Sequence, residues 1–299
     1  MTNPTPIDVC AAAPAVVLET AFLTRGLPAD VRLGAARRMA AAVVAGGATP
    51  AFTGVLRGRA IVGLTEDELE RLAPCGRKLA ARDLGPAIAR GEDGGTTVSA
   101  TLVLARRAGL RVAATGGIGG VHPAGRAGAS GSWDVSADLE ELARTPAILV
   151  CSGAKAITDI GATMERLETL GVPVVGWKTR ELPAFWSRES GVELERSVEG
   201  AEDAAAIRRA MDALGQQAAL LVCAPPPADT ALAREESDRS VAHAVEEAAE
   251  RGIAGPGVTP WLLARIAELT DGRSLRANLA LLEHNAGIGA GIARALSSG

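Results

Sequence analysis

The sequence predicts an α/β protein built on a buried, largely parallel sheet, and three observations carry that prediction. The run AILVCSG, the stretch AKAITDIGATMERLETLG and the run VPVVGW follow one another as strand, helix and strand, and such crossovers imply parallel neighbours. The chain has no Tyr and only three Phe and four Trp, so its core is built from Ala, Val, Leu and Ile, which suits helices packed on a sheet covered on both faces. Finally, 299 residues without a compositional break suit one compact body, so residues 1–299 are expected to form a single domain.

The elements follow in order. Leu33 to Ala45 has helical apolar spacing, with Arg37 and Arg38 on the wet side. GGATPAF is a turn leading toward a strand, and RGRAIVGL reads as a second strand. TEDELERLA carries a Thr N-cap and first-turn acids, so it is a helix. Thr96 to Ala108 reads as helical and Leu110 to Ala114 as a short strand that runs straight into TGGIGG. A strand ending in glycines marks a close backbone approach. A helix start at DVSADLEEL precedes the strand-helix-strand unit. Beyond it, Ala201 to Leu214 is helical, ALLVCAPPP is a strand ended by prolines, and Leu232 to Arg251 is a charged surface helix. TPWLLARIAELT and SLRANLALLEHNAGIGAGIARAL are two further helices.

Charge and cysteine content exclude several classes. The net charge is −4 with basic residues scattered among acids, so there is no electrostatic footprint for nucleic acid. Cys10, Cys75, Cys151 and Cys223 form no CxxC pair and read as small core hydrophobes, neither a disulfide framework nor a zinc site. No apolar run approaches the roughly 20 residues that span a bilayer, and no basic residue precedes the first apolar run as a secretory signal needs. A cytoplasmic enzyme with no membrane partner is expected.

Several residues are candidates for chemistry, each with a plainer alternative. Lys155 follows the strand AILVCSG and opens the next helix in this reading, at the carboxyl edge of the sheet, where ligands of parallel sheets bind. There it is either a partly buried amine, and burial favours a neutral nucleophilic amine, or a helix-end lysine reaching water. ATGGIGGVH has glycines at two dinucleotide-fingerprint positions, but His122 stands at the third and no crossover helix follows, which excludes a Rossmann site. It is a nest of N–H groups for an anion or a tight turn. Thr96 and Thr97 offer anion-binding donors at a helix N-terminus or simple capping. Lys78 and Arg82 are a phosphate clamp on one helix face or a solvated basic face. Asp134, Asp138, Glu140 and Glu141 are metal ligands or first-turn acids that complement the macrodipole. Glu19, inside an apolar run, is an edge-strand carboxylate or a buried acid with a raised pKa. Asn278 reads as a satisfied core amide.

Taken together, VVLETAFLTRGLP, GGATPAF, GGTTVSATLVLA, ATGGIGGVH, DVSADLEELARTP, VCSGAKAITDIGATMERLETLGVPVVGW, ELPAFWSRESG and the C-terminal TPWLLARIAELTDGRSLRANLALLEHNA resemble the pseudouridine-5'-phosphate glycosidase family, also called indigoidine synthase A-like. The likeness runs in the family's order from about Val16 to Ala286. It implies a three-layer α/β/α fold and a homotrimer. It implies that Lys155 forms a Schiff base with ribose 5-phosphate and that Glu19 is the acid/base. Lys78 matches the phosphate-gripping lysine, with Thr97 and Ser136 as supporting donors. Asp138 matches the aspartate that organises a divalent metal, usually manganese, largely through water. Thr115, His122 and Asn278 match pocket residues near the sugar and base.

Departures from the family pattern cluster where the base and lid belong. The chain reads GLPADVR after the glycine turn, HPAGRAGASGSWDVSAD is longer than usual, making residues 123–133 a lid or pocket insertion, His284 replaces one of a paired Asn, and Pro256 replaces a lysine. The expectation is therefore a C-glycosynthase that joins ribose 5-phosphate to a small heterocyclic base other than uracil, in C-nucleoside, antibiotic or other natural-product biosynthesis. The alternatives are catabolic cleavage of pseudouridine 5'-phosphate, a non-catalytic sugar-phosphate binding module, and a lysine aldolase acting on another aldehyde phosphate.

Overall fold

The structure, a computed structural model, describes residues 7–123, 134–253 and 258–298; the insertion expected at 123–133 and Pro256 lie outside them apart from residue 123. The strands are β1 (Ile7–Val9), β2 (Ala15–Leu18), β3 (Thr49–Leu56), β4 (Arg59–Val62), β5 (Lys78–Leu79), β6 (Gly94–Thr96), β7 (Val112–Ala114), β8 (Ile148–Cys151), β9 (Val174–Trp177), β10 (Ser197–Val198) and β11 (Leu220–Cys223). The helices are α1 (Arg32–Ala45), α2 (Glu66–Leu72), α3 (Ala81–Ala89), α4 (Val98–Ala108), α5 (Ala137–Leu142), α6 (Ile160–Thr169), α7 (Ala201–Ala213), α8 (Arg234–Glu250), α9 (Val258–Leu269) and α10 (Arg273–Ser297).

All the strands join one sheet, ordered β1-β4-β3-β2-β7-β8-β11-β9-β10, with β6 pairing β3 and β5 pairing β6. From β2 to β10 every pairing is parallel. The exceptions are β3 against β4 and β3 against β6. The β3–β4 hairpin turns on Arg57 and Gly58, both at positive φ, the geometry that matches strand twist in a two-residue hairpin. The predicted crossover from β8 through α6 to β9 exists, but β11 is inserted between the two strands.

Side-chain alternation divides the interior in two. Val16, Leu18, Ile148, Val150, Leu220 and Val222 face a layer that contains α1, α7 and α10. Ala15, Val17, Leu149, Cys151, Leu221 and Cys223 face α4, α5 and α6. Strands buried on both faces need apolar residues at successive positions, and that is what their sequences supply. The result is the expected three-layer α/β/α fold with a largely parallel centre. The Thr65 cap is also as expected: its hydroxyl accepts from Glu68 N–H and the Glu68 carboxylate returns a bond to Thr65 N–H.

Some expectations need correcting. Cys151 and Cys223 are buried, but Cys10 is exposed and Cys75 only partly covered, so two of the four cysteines are not core. Thr96 ends strand β6 instead of starting a helix. Lys78 lies in β5, a two-residue strand, so it shares no helix face with Arg82, whose side chain is 82% exposed. No helix among the described residues is long and apolar enough to cross a membrane.

Candidate active site

The site forms where neighbouring strands release their chains. Strand β2 ends at Leu18 and delivers Glu19, its neighbour β7 delivers Thr115, and β8, on the far side of β7, leads to Lys155. Behind this edge lies a closed ring of buried hydroxyls. Thr53 Oγ1 is 2.7 Å from Thr96 Oγ1 and 3.0 Å from Thr101 Oγ1, which is 3.0 Å from Thr96 Oγ1. Thr20 joins by donating to Thr53 O at 2.6 Å and accepting from Thr96 N–H at 3.0 Å. These bonds fasten the ends of β2 and β6 to the middle of β3 and so fix Glu19 relative to Thr97.

Glu19 is 7% exposed. Its Oε2 accepts from Ala21 N–H at 2.7 Å and its Oε1 accepts from the Thr115 hydroxyl at 3.3 Å. Burial pushes its pKa above the ordinary carboxylate range, although the Lys155 charge and these two bonds pull the other way. The buried-acid reading of Glu19 is therefore the one the geometry favours, and a carboxyl with a raised pKa suits an acid/base role. Beyond Glu19 the chain enters a single π-type turn, Phe22–Gly26, closed by Leu27 N–H on Phe22 O at 3.1 Å. Turns of this kind are rare and gather at functional sites; this one brings Phe22 and Arg25 to the cavity.

Lys155 does not open a helix. It lies in a turn between β8 and α6, whose N-cap is Asp159, with Asp159 Oδ1 accepting from Ala162 N–H at 2.9 Å. The Lys155 backbone is held on both sides: its N–H donates to Ile118 O at 3.0 Å, and its carbonyl accepts the Thr158 hydroxyl at 2.7 Å. Just before it, Gly153 adopts φ +82°, and a Cβ there would stand 2.2 Å from Pro183 O. Only glycine meets both demands. The Lys155 side chain is half-buried and, among the described residues, pairs with no carboxylate.

The cavity, about 680 Å³, is lined by Glu19, Lys155, Lys78, Thr97, Arg25 and Asn278 among others. Burial, and then the neighbouring Lys155 and Arg25 charges, pull the Lys78 pKa down, while Asp138 and Glu19 oppose the shift. Three basic side chains around one carboxyl, whose pKa burial raises, make a site for an anionic ligand. Thr97 occupies the N-cap position of α4 without capping it; its hydroxyl lies 3.1 Å from Ser99 Oγ. The capping bond comes from Asp138, whose Oδ1 accepts from Ser99 N–H at 2.8 Å while Oδ2 accepts from Gly119 N–H at 2.9 Å.

Asp138 thus ties α4 to the glycine turn, and Gly119 N–H, expected in an anion nest, is already used. Gly117 is needed for a different reason: a Cβ there would meet the Phe185 ring at 2.7 Å. Ser136 caps α5, accepting from Asp138 N–H at 3.2 Å, and is not part of the cavity lining. His122 lies outside the lining as well, with its Nδ1 3.4 Å from Asp134 Oδ1. The other acids once grouped with Asp138 pair elsewhere: Glu140 with Arg166 and Glu141 with Arg106. Among the described residues no group of three or more His, Cys, Asp or Glu is placed to hold a metal ion.

Asn278 is not a satisfied core amide, since it faces the cavity. That role belongs to Asn285, two turns further along α10, which is fully buried and donates to Thr115 O at 2.9 Å and Ser152 Oγ at 3.1 Å. His284 beside it is partly covered, and burial with the Arg188 charge lowers its pKa. Arg25 and Phe185 line the cavity and are site residues that the sequence reading missed.

The chain that forms this cavity at the carboxyl edge of a three-layer fold has relatives of known family. The chain matches the model of the family described as indigoidine synthase A like protein over residues 8–295, and it belongs to that family. It is 50% identical to a pseudouridine-5'-phosphate glycosidase of Gemmatimonas aurantiaca, over 95% of this chain and 92% of the relative. The crystal structure of an indigoidine synthase A-like protein from Thermotoga maritima superposes with a TM-score of 0.89 at 37% identity, covering 98% of each chain. The prealnumycin C-glycosynthase AlnA, solved in complex with ribulose 5-phosphate, superposes with a TM-score of 0.87 at 33% identity, covering 98% of this chain and 97% of AlnA.

Proposed function

We propose that this chain cleaves the C–C glycosidic bond of pseudouridine 5'-phosphate, giving uracil and ribose 5-phosphate through an imine on Lys155. The observation that carries the reading is the convergence of Lys155, buried Glu19 and Lys78 on one cavity. The relative at 50% identity that bears the glycosidase name supports it, as does the pentulose phosphate in the AlnA complex.

A C-glycoside has no leaving oxygen to protonate, so the usual two-carboxylate mechanism cannot apply. In this reading Glu19 gives its proton to the furanose ring oxygen as the C1'–O4' bond breaks, and Lys155 Nζ adds to C1'. Glu19 recovers a proton from the newly bonded Nζ and gives it to the base C5. The Nζ lone pair forms C1'=Nζ as the C1'–C5 electrons restore the ring double bond, and uracil leaves. Water adds to the imine carbon, and the C–N bond breaks to free the aldehyde of ribose 5-phosphate. Lys78, Arg25 and Thr97 hold the phosphate end.

The reading includes a homotrimer and a divalent ion, manganese, organised by Asp138 largely through water; no step is routed through the ion. Synthesis with a base other than uracil becomes the second reading. The base-side departures at 28–31 and His284 favour it, and so does AlnA, a synthase, although at 33% identity it is the more distant relative.

The test is uracil release from pseudouridine 5'-phosphate together with borohydride trapping of ribose 5-phosphate and mass mapping. An adduct on Lys155, with both signals lost in Lys155→Ala, is the expected result. Trapping elsewhere, or turnover that survives the substitution, would overturn the proposal. Ribose 5-phosphate binding without any adduct would indicate a non-catalytic binding module.

A further inference from the structure

A second cavity of about 650 Å³ adjoins the first and shares Arg25, Gly26, Leu263 and Asn278 with it. The residues it does not share are Leu27, Pro28, Trp186, Ala264, Ala267, Ser274 and Leu275, apolar except for Ser274, whose hydroxyl is bonded to the Thr270 hydroxyl. The proposed mechanism uses none of them.

The wall between the two cavities is aromatic in a chain that has almost no aromatics. Phe185 lines the first cavity and Trp186 the second, with ring centroids 5.2 Å apart and planes tilted by 52°. Phe22 lines the first cavity too, so three of the chain's seven Phe and Trp residues gather here. Phe185 is set in the left-handed region at φ 62°, a conformation that a bulky residue rarely adopts. Its N–H is anchored to Ser152 O at 2.9 Å, in the turn that leads to Lys155. Trp186 is 1% exposed, and its indole N–H has no acceptor among the described residues. Buried indole N–H groups usually have one.

From these features we infer that the second cavity is an extension of the base site and takes an apolar substituent carried by the heterocycle. The ring lies at the Phe185 wall and the substituent passes Asn278 and Leu263 toward Trp186. The substrate class therefore extends from pseudouridine 5'-phosphate to C-ribosyl 5'-phosphates whose base carries an apolar substituent. This rests on the cleavage reading above and deepens it. Apolar pockets discriminate weakly per methylene, so a pocket already present tolerates added methylenes, whereas a closed wall rejects them.

The experiment compares pseudouridine 5'-phosphate with two series bearing methyl, propyl and benzyl groups, one at N1 and one at N3. In the wild-type enzyme at least one series is expected to keep kcat/KM within about tenfold of the parent compound, a barrier difference of about 1.4 kcal/mol. Ala264→Phe, at an exposed helix position that lines only the second cavity, is expected to lower the ratio of benzyl to parent kcat/KM by about tenfold or more, and Leu275→Trp, from another helix, to act in the same direction. If both series fall more than tenfold at propyl while the parent is cleaved, the inference fails and the cleavage reading stands. A benzyl-to-parent ratio that neither variant moves also overturns it. The wild-type series decides even where a variant fails to fold. Loss of all cleavage, with no adduct on Lys155, would instead mark failure of the underlying reading.

Discussion

Two corners of the site hold buried carboxylates with very different surroundings. Glu19 is 7% exposed and Asp138 5%, yet Glu19 receives one short backbone bond and one long hydroxyl bond, whereas Asp138 accepts backbone N–H groups from two separate segments. Glu19 is desolvated without full compensation, and its pKa rises. Asp138 has both oxygens engaged and works as a clamp between α4 and the glycine turn. Burial alone therefore does not mark an acid/base; what matters is whether backbone donors have replaced the lost water.

The largest expected effect is on Glu19. Glu19→Gln keeps the side-chain size and removes the transferable proton, so kcat is expected to fall by about 10²–10⁴ with ribose 5-phosphate affinity little changed, measured by steady-state kinetics and calorimetric titration. An unchanged kcat would place the acid elsewhere. Next comes Asp138→Ala, which orphans two N–H groups and is expected to cost about 2–5 kcal/mol of stability, read from denaturant unfolding. Asp138→Asn, which keeps one acceptor oxygen, should lose less. A variant with parental stability would break the comparison by showing that Asp138 is no clamp.

The smallest effect is a pH dependence. Because the folded-state pKa of Glu19 lies above its unfolded value, its contribution to stability is complete below the ordinary carboxylate range and is lost as pH rises through the raised value. Glu19→Gln lacks this loss. Its Tm relative to the parent should therefore climb as pH is raised from the ordinary carboxylate range, and a difference constant with pH would argue that Glu19 is not raised.

Much of this was legible in the sequence because buried parallel strands announce themselves as short apolar runs: AILVCSG and ALLVCAPPP became β8 and β11. Strands β5 and β6 were not, because a Lys-Leu pair and a Gly-Gly-Thr triplet are too short to carry a period. Lys155 was misplaced onto a helix because AKAITD has helical apolar spacing, although Asp159, the real N-cap, was a readable stop-and-start signal. The roles of Glu19, Lys78 and Asp138 came from family resemblance, since their neighbours in space are remote in the chain. Arg25 looks like any solvated cation until the π-type turn is seen. Phe185 had a usable signal, its rarity: an aromatic pair in a chain so poor in aromatics stands out. Asn285 and Asn278 lie on one helix, and only contacts from β7 and β8 tell the tied amide from the open one.

The triangle formed by Thr53, Thr96 and Thr101 has a consequence for how the seam between β2, β3 and β6 tolerates change. Each hydroxyl has two others within reach, so replacing one by a methyl leaves a pair that still satisfies itself. Replacing both Thr53 and Thr96 strands the Thr101 hydroxyl in a dry interior, where an unmatched hydroxyl is costly, whereas Thr53 and Thr96 each keep a backbone carbonyl, Leu18 O and Thr53 O. Redundancy of this kind hides damage at the first lesion and reveals it at the second, so the two losses are not additive.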